Sequence, residues 1–561
     1  MTAIVLIAVL GVTGLLCWPA ERLGPRWPGW LAILGLLIDL AIVLGLWSQA
    51  SASGPWLDAV RYAWIPQLGI SLHFGIDGLS LLLVGLACVV GLVAIAAAWR
   101  ERRQRDGLYY LLLLWSLAGI TGVFVALDLV LFYFFWEIML VPTYLLFLWG
   151  RDRQLRAAVT FFLYTQLSGL LMLVAILGLY VVHGQATGTY TFDFVDLTAT
   201  RVDGPVTTWL LLGFWVAFAV KLPILPFHTW LPDAYSRAPT GVTIVLAGIM
   251  AKTAGYGLLR FAIPLFPEAA AGLAPAIMAF AAVSILYASW TAFGQRNFKR
   301  LVAYSSITSM GFVMLGAFAS NDLAWQGATL QMLAHGLSIA ALFLLAGALQ
   351  ERLGGTEFER MGGLWAITPR LGAFALVFAL ATLGLPGLGN FVGEFLVLAG
   401  AFQVSWFLTA LAAPGLVLTT VYALWLIQRV FQGESIGGQR LPDATGRETL
   451  ALGLLLAGLL WLGLFPQQTL DLVAPSLSAL RPQVATTQQP GNDVVGVFVG
   501  DGELLVGTGV SPQGLRAPWD LGLPRAVPLD APPTGTSAAI SLVFPIEHYQ
   551  PSRADVQGGG R

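Results

Sequence analysis

Charged residues are scarce in this sequence of 561 residues. Asp, Glu, Lys and Arg make up 11% of it, against roughly 25% in a soluble domain, while 57% is hydrophobic and the mean hydropathy is +0.78. So few charges cannot cover the surface of a soluble protein of this length, and the sequence predicts a polytopic membrane protein. The net charge of -1 provides no basic surface, which argues against nucleic acid as a partner.

Residues that hold cofactors are also few. Cys17 and Cys88 are the only cysteines and both lie in apolar runs, so they form neither a disulfide framework nor the four thiolates that an iron-sulfur cluster usually needs. No residues have metal-ligand spacing, and no glycine-rich phosphate loop precedes a helix. We therefore expect any electron transfer to take place in another chain.

The N-terminus resembles a lipoprotein signal that ends at Cys17. It lacks a positively charged start, however, and Leu16 is a poor small residue before the cysteine. We interpret residues 2–18 as a retained first transmembrane helix.

Charged residues divide the chain into apolar segments of about 20 residues, the length of a membrane-spanning helix. The predicted segments are 2–18, 28–48, 78–99, 107–127, 129–149, 157–182, 207–231, 240–264, 270–294, 300–320, 323–349, 371–404, 406–431 and 449–466. The fold class is therefore an all-α polytopic membrane protein with about 14 transmembrane helices.

The basic residues orient these segments. Most of them lie in connections that follow odd-numbered segments, whereas connections after even-numbered segments have only Arg61, Arg201 and Arg260. Because cytoplasmic loops are enriched in Lys and Arg, this asymmetry places both termini outside the cytoplasm.

Two segments contain helix-interrupting residues. The seventh is interrupted at Pro223 and Pro226, directly after Lys221, and the twelfth at residues 385–389, shortly before Glu394. Paired interruptions of this kind are typical of the two repeats of a transporter, and five helices per repeat would invert the second repeat.

The predicted divisions are helices 1 to 3 in 1–106, the first inverted repeat (helices 4 to 8) in 107–265, the second (helices 9 to 13) in 266–435, helix 14 in 436–479 and an extramembrane tail in 480–561. Alternating apolar residues at 493–507 predict a small hairpin in this tail.

Four ionisable residues remain at membrane depth by this reading: Glu137, Lys221, Lys252 and Glu394. Each costs about 2.5 to 3.5 kcal/mol to insert and is by default a candidate functional residue. Burial disfavours the charged forms of Glu137 and Lys221, whereas pairing favours them, so separating the pair would let the lysine release a proton. The alternative is a kinked structural helix whose lysine extends to the interface.

Other candidates are more ambiguous. Lys252, among small residues, is either a relay or a lysine satisfied by a neighbouring carbonyl. His335 is either a hydrogen-bonded core residue or a proton relay, for which the ordinary pKa of histidine, about 6.5, is suitable. His228 and Asp233 follow the interruption toward the cytoplasmic side and form either a proton entry path or a pair at a helix end.

Six blocks of this sequence resemble the antiporter-like subunits of respiratory complex I. They are residues 136–144, 221–234, 238–240, 246–260, 299–306 and 389–395, and the resemblance covers about residues 70 to 435. It implies a proton channel in which Glu137 and Lys221 are the coupling pair, Lys252 is the bridging lysine and Glu394 is the terminal proton-exchanging group. L- and N-type subunits and many Mrp-type subunits tend to have lysine in place of Glu394. The chain departs from the family at Ser309, where relatives commonly have histidine, so His335 and bound water would carry more of the relay.

The resemblance also implies the surroundings. The chain would have no cofactor of its own, and FMN, iron-sulfur clusters and quinone would lie in partner subunits. Its partners would be L- and N-type antiporter-like subunits in a bacterial inner membrane, with both termini periplasmic. Two alternatives are a subunit of a Mrp-type cation/proton antiporter or membrane-bound hydrogenase, and a non-conducting scaffold that retains the fold.

Overall fold

The computed structural model describes residues 1–49, 56–99, 105–149, 154–199, 204–434, 441–481, 495–500 and 503–508. It consists of two units, Met1–Pro482 and Gln483–Arg561. The described part of the first unit is almost entirely helical, with one β-hairpin. In the second unit, β3 (Val495–Gly500) pairs with β4 (Glu503–Thr508) in an antiparallel hairpin at the place where the alternating residues predict one.

The first unit contains two strands and a long series of helices, numbered in the order of the chain. They begin with α1 (Thr2–Ala20), α2 (Trp27–Gln49), β1 (Trp56–Ile65), β2 (Ile70–Asp77), α3 (Gly78–Ala98), α4 (Asp106–Val125), α5 (Leu129–Leu146), α6 (Leu155–Thr187), α7 (Phe194–Ala199), α8 (Val206–Lys221), α9 (Leu231–Arg237), α10 (Thr240–Val245), α11 (Lys252–Gly257) and α12 (Ile263–Leu265). They continue with α13 (Pro267–Phe293), α14 (Phe298–Ala319), α15 (Asp322–Leu353), α16 (Pro369–Thr382), α17 (Gly389–Val404), α18 (Trp406–Ala412), α19 (Pro414–Phe431), α20 (Gly446–Leu464) and α21 (Pro466–Leu480).

Twelve helical stretches in the described residues are long and apolar enough to cross a membrane. Three shorter apolar helices, α8, α16 and α17, belong to the two interrupted segments. The chain is therefore a multi-pass membrane protein, and its helices are compatible with the fourteen predicted segments. Helix α21 is additional, because the last predicted segment ends at residue 466, where α21 begins.

Both interruptions occur where the sequence predicts them. Helix α8 ends at Lys221 and helix α9 begins only at Leu231, because the prolines between them cannot continue the backbone hydrogen bonding. Helix α16 ends at Thr382, and Gly384 and Gly387 turn the chain with positive φ values of 78° and 94° before α17 begins. Each interruption leaves helix ends in the interior of a membrane protein, where irregular backbone must be surrounded by protein or water.

The centre of the bundle is formed by two segments that are buried along most of their length, residues 240–265 and 322–353. The first of these is not a regular helix, since π-helical turns at Leu246–Met250 and Leu258–Ala262 lie on either side of α11. Such turns often occur at functional sites. Small residues let the two segments approach closely: a Cβ on Gly248 would lie 3.5 Å from the backbone oxygen of Gly336.

A polar network holds the hairpin of β1 and β2, which the sequence analysis does not predict. Asp193 accepts a hydrogen bond from Ser71 and lies 2.6 Å from Nδ1 of His73 and 3.2 Å from Nε of Arg61. Asp128 caps α5 by accepting from two backbone amides and also accepts from Ser71. The cap that Asp128 forms is therefore part of a larger network that joins the hairpin to α5 and α7.

The network makes this end of the bundle sensitive to acid. Burial raises the pKa of Asp193, but the hydrogen bond and charge of His73 and the charge of Arg61 outweigh it, so the pKa lies below its usual value. The carboxylate therefore stabilises the fold above a pH of about 4 and loses that contribution at lower pH. Amide exchange in Trp56–Ile65, corrected for intrinsic rates, should accelerate as the pH falls from about 6 to about 3. In Asp193→Asn it should already be fast at the higher pH, and equal protection in both proteins would contradict this role.

The same backbone pattern occurs once in each predicted repeat. At the start of α5, Phe194 donates to Leu127 and Leu129 donates to Phe192. At the start of α14, five segments later, Phe358 donates to Arg296 and Phe298 donates to Thr356. Two repeats of five helices would produce this correspondence, although the repeat boundaries stay a prediction.

Candidate functional site

The interruption after α8 positions Lys221. As the last residue of that helix, it lies beside backbone carbonyls that have no partner within the helix, and their partial negative charge favours a cation. Its side chain is only 2% exposed, and Nζ lies 4.5 Å from the centroid of the Trp136 ring. The aromatic face offers a second favourable contact to the charged lysine. Lys221 therefore does not extend to the membrane interface, as a merely structural lysine would.

Glu137 follows Trp136 on α5, so the predicted partner of Lys221 is the residue next to the indole that Lys221 contacts. Lys221 and Glu137 each act on the other electrostatically, but no ion pair within 4.0 Å joins them in the described structure. Glu137 Oε1 lies against α6, where a Cβ on Gly169 would be 2.9 Å away. The side chains are thus close enough to influence each other's protonation, while a direct contact would need one of them to rotate.

Lys252 and His335 are brought together. Lys252 Nζ lies 2.8 Å from His335 Nδ1 and donates to the Ala247 backbone oxygen at 2.5 Å. Both side chains are almost completely buried, Lys252 at 0% exposure and His335 at 2%. The carbonyl contact and the relay contact therefore coexist. A protonated Lys252 can only donate, so in that state Nδ1 of His335 accepts and the proton of the neutral ring lies on Nε2.

Glu394 lies on the second turn of α17, after the interruption. Its Oε1 accepts a hydrogen bond of 3.0 Å from Nε2 of Gln331, a residue of α15 that is completely buried. Sequence reasoning missed Gln331. The signal that could have found it is its position one helical turn before His335, which places both side chains on the same face of α15.

Ser309 is also buried, on α14. Lys252 contacts His335 on α15. This is the residue that the sequence analysis expects to take a larger part in the relay, because position 309 has serine instead of histidine. The sequence prediction of a greater role for His335 is consistent with this geometry and stays a prediction.

His228 and Asp233 do not form a pair. His228 lies within the interruption and is buried against the ring of Tyr287, with ring centroids 5.1 Å apart. Asp233, on α9, is half exposed and binds Arg300 at 2.5 Å. The structure therefore separates the two residues and gives them different partners.

Sequence reasoning was wrong to reduce the ionisable residues at membrane depth to four. Asp39 lies in the middle of α2 with 0% exposure, and neither of its carboxylate oxygens has a hydrogen-bond partner among the described residues. Arg260, counted as a loop residue from the sequence, is buried and forms an ion pair with Asp77. When an apolar segment contains a single carboxyl, the sequence does not show whether that side chain faces lipid or is buried between helices.

Asp39 and Asp77 provide a matched pair of variants. Asp39→Asn removes no observed contact, so the assembled protein should keep its thermal midpoint or gain stability. Asp77→Asn leaves the buried guanidinium of Arg260 without its counter-charge, which costs about 3–5 kcal/mol. The stability of both variants is measured by thermal unfolding of the purified protein. The amount of each variant in the membrane is measured as well. Equal losses would show that Asp39 has a partner as important as that of Asp77.

The chain is similar to characterised membrane proteins along most of its length. The family model described as "NADH:quinone oxidoreductase/Mrp antiporter, TM" matches residues 126–420, a range that includes every predicted site residue. The NADH-quinone oxidoreductase subunit M of Escherichia coli strain K12 is 47% identical over 482 residues, which are 83% of this chain and 95% of that protein. The protein of the same name from Pseudomonas aeruginosa is 47% identical over 492 residues, 85% of this chain and 96% of the relative.

A solved structure has the same fold. A chain of the respiratory complex I from Thermus thermophilus with bound NADH matches with a TM-score of 0.77 at 33% identity. The match covers 86% of this chain and 99% of that chain. The range of the family match contains both interrupted segments and the predicted site residues, whereas Asp39 and Asp77 lie before it.

Proposed function

This chain belongs to the NADH:quinone oxidoreductase/Mrp antiporter membrane family, and we propose that it is the subunit that moves protons across the membrane when quinone is reduced elsewhere in complex I. The observation that carries the proposal is the buried hydrogen bond between Lys252 and His335 at the centre of the bundle. The contacts of this buried basic side chain among the described residues include no carboxylate, which is unfavourable for stability alone, and proton transfer gives a reason for its presence.

In this proposal the proton affinities of Glu137 and Lys221 change during the cycle. When the carboxylate of Glu137 and the ammonium of Lys221 approach, each stabilises the charged form of the other. When they separate, the lysine can release its proton. This reading is supported by the position of Lys221 over the ring of Trp136, the residue before Glu137, and by the lack of a hydrogen bond to Lys221 Nζ and Glu137 Oε1 among the described residues. His228 and Asp233 would lie on the path by which protons enter from the cytoplasmic side.

Lys252, His335 and Glu394 then carry the proton onward through the second half of the chain. Moving one charge against the membrane potential costs about 2.3 kcal/mol per 100 mV. This chain has no reaction that supplies the energy, so the driving force must be an electrostatic or conformational change in partner subunits.

In this proposal the redox chemistry belongs to partner chains, and these chains have FMN, iron-sulfur clusters and bound quinone. The two cysteines, Cys17 and Cys88, are both buried, and Cys17 donates to the backbone oxygen of Pro28. Within the described residues, no group of three or more His, Cys, Asp and Glu side chains could hold a metal.

The chain is a component of the membrane arm, and we assign its neighbours as the L- and N-type antiporter-like subunits. The distribution of basic residues supports a bacterial inner membrane location with both termini in the periplasm. In that orientation the hairpin of β1 and β2 lies on the periplasmic side.

Co-purification tests the assignment of partners. A tagged form of this chain, extracted in mild detergent from its own host, should bring down peripheral NADH-oxidising and iron-sulfur chains together with other membrane chains. Recovery of membrane chains alone would favour a Mrp-type antiporter, and recovery with a hydrogenase catalytic chain would favour a membrane-bound hydrogenase. Membrane vesicles from a strain that lacks the gene should lose NADH-driven proton uptake, and full uptake would contradict the proposed function.

A further inference from the structure

Helix α15 presents two buried polar residues on one face. His335 and Gln331 are four residues apart, about 6 Å along the helix, and each contacts a different member of the buried ionisable set. His335 binds Lys252 and Gln331 binds Glu394. This helix is therefore the only described element that directly contacts both Lys252 and Glu394 through side-chain hydrogen bonds.

The two contacts have a common direction. When Lys252 is protonated it donates to Nδ1 of His335, which makes Nε2 of that ring a donor, and Gln331 uses its own donor on Glu394, which leaves its Oε1 as an acceptor. Among the described residues neither His335 Nε2 nor Gln331 Oε1 has a hydrogen-bond partner, although both atoms are buried. The atoms without partners are thus a donor and an acceptor on the same face.

One water molecule can satisfy both atoms. Buried polar atoms are nearly always hydrogen-bonded, and a buried water usually has two to four polar partners. The resulting series of hydrogen bonds would run from Lys252 to Glu394 with every donor directed toward the glutamate, an arrangement in which each bond polarises the next.

The two oxygens of Glu394 have different surroundings. Oε1 is held by Gln331, whereas Oε2 is buried without a partner and faces the interruption, where a Cβ on Gly384 would lie 3.1 Å away. Gln331 therefore fixes the carboxyl so that one oxygen points to α15 and the other to the irregular backbone between α16 and α17.

We propose that Gln331 is a positioning residue for proton transfer: it completes a directed hydrogen-bond chain along α15 from Lys252 through His335 to Glu394, and it turns Glu394 Oε2 toward the interruption, through which the proton leaves. The proposal rests on the proposed function. An amide does not itself pass on the proton. It holds the carboxylate by a donor that stabilises the charged form, so that Glu394 gives up its proton within the working pH range.

The test compares Gln331→Met, which keeps the length of the side chain and removes the donor, with Gln331→Asn, which keeps an amide. Gln350→Met is the matched control, since Gln350 lies on the same helix near its other end. The complexes are purified intact, and the infrared C=O band of a protonated carboxylic acid is followed as a function of pH. The band that disappears in Glu394→Gln belongs to Glu394.

In Gln331→Met the midpoint of that band should move up by about one pH unit, a tenfold rise in proton affinity, and its frequency should rise because a hydrogen bond is lost. Gln331→Asn should show a smaller shift and Gln350→Met none. NADH-driven proton uptake in Gln331→Met should be reduced at neutral pH and recover toward alkaline pH. A midpoint and frequency equal to those of the unmodified complex in Gln331→Met would overturn the proposal.

The same experiment separates this proposal from the function on which it rests. If Glu394→Gln takes up protons at the unmodified rate, the proposed function fails, whatever the infrared band shows. If Glu394→Gln abolishes uptake but Gln331→Met leaves both the band and the pH profile unchanged, only the role of Gln331 is wrong.

Discussion

Replacement of Lys221 by methionine should lower NADH-driven proton uptake by about a hundredfold, the size of effect that a positioned proton donor and acceptor supplies. Methionine is close to lysine in length and apolar, so it can occupy the buried space beside Trp136 without a charge. The loss should therefore come from the missing proton site and the missing partner of Glu137, and not from a cavity. Uptake is measured in inverted membrane vesicles with a pH-sensitive dye.

Leu222→Met is the control for this variant. Leu222 is the next residue, is equally buried, and receives the same side chain without removal of a charge. Oxidation of NADH with a water-soluble electron acceptor shows that the complex has assembled in both variants. Normal uptake in Lys221→Met would exclude this lysine from the proton path and would return it to the structural interpretation, a charge stabilised by a helix end and an aromatic ring.

Replacement of Glu394 by glutamine should have an effect of similar size. Glutamine has nearly the same shape, and its side-chain oxygen can still accept the hydrogen bond from Gln331, so the packing of α17 against α15 is preserved. The variant cannot bind and release a proton, however, and the terminal step is blocked. We expect proton uptake to fall by about a hundredfold at every pH, unlike the pH-dependent loss in Gln331→Met.

Glu359→Gln makes the same chemical change at an exposed glutamate in the connection before α16 and should leave uptake unchanged. Glu394→Asp tests geometry instead of charge, because it keeps the acid and shortens its reach to Gln331. It should retain part of the uptake. Full activity in Glu394→Gln would mean that protons leave the chain without this carboxyl.

The positions of the interruptions and of the buried lysines could be predicted from the sequence because each has a local cause. Proline and glycine end a helix wherever they lie, and a lysine in an apolar run is visible without knowledge of its neighbours. Lys221 at the end of α8 and Lys252 between two π-helical turns were therefore found at once, and the helix boundaries follow from the cost of placing arginine in a membrane.

The contacts between segments could not be predicted in the same way. Gln331 is an ordinary polar residue until α17 is packed against α15, and Asp39 is distinguished only by the burial of its face of α2. The hairpin of β1 and β2 was missed because its stability depends on Asp193, more than a hundred residues later. The sequence also gives no sign that Lys252 contacts both the Ala247 carbonyl and His335, and its role as a relay stays a prediction.

The central claim is that protons cross the membrane through the buried residues of this chain, and Lys252 lies in the middle of them. The most direct measurement is the number of protons taken up per NADH oxidised, in vesicles with the unmodified chain and with Lys252→Met. We predict a lower ratio in Lys252→Met even at matched rates of NADH oxidation. An unchanged ratio would contradict proton transfer through Lys252 and with it the proposed path.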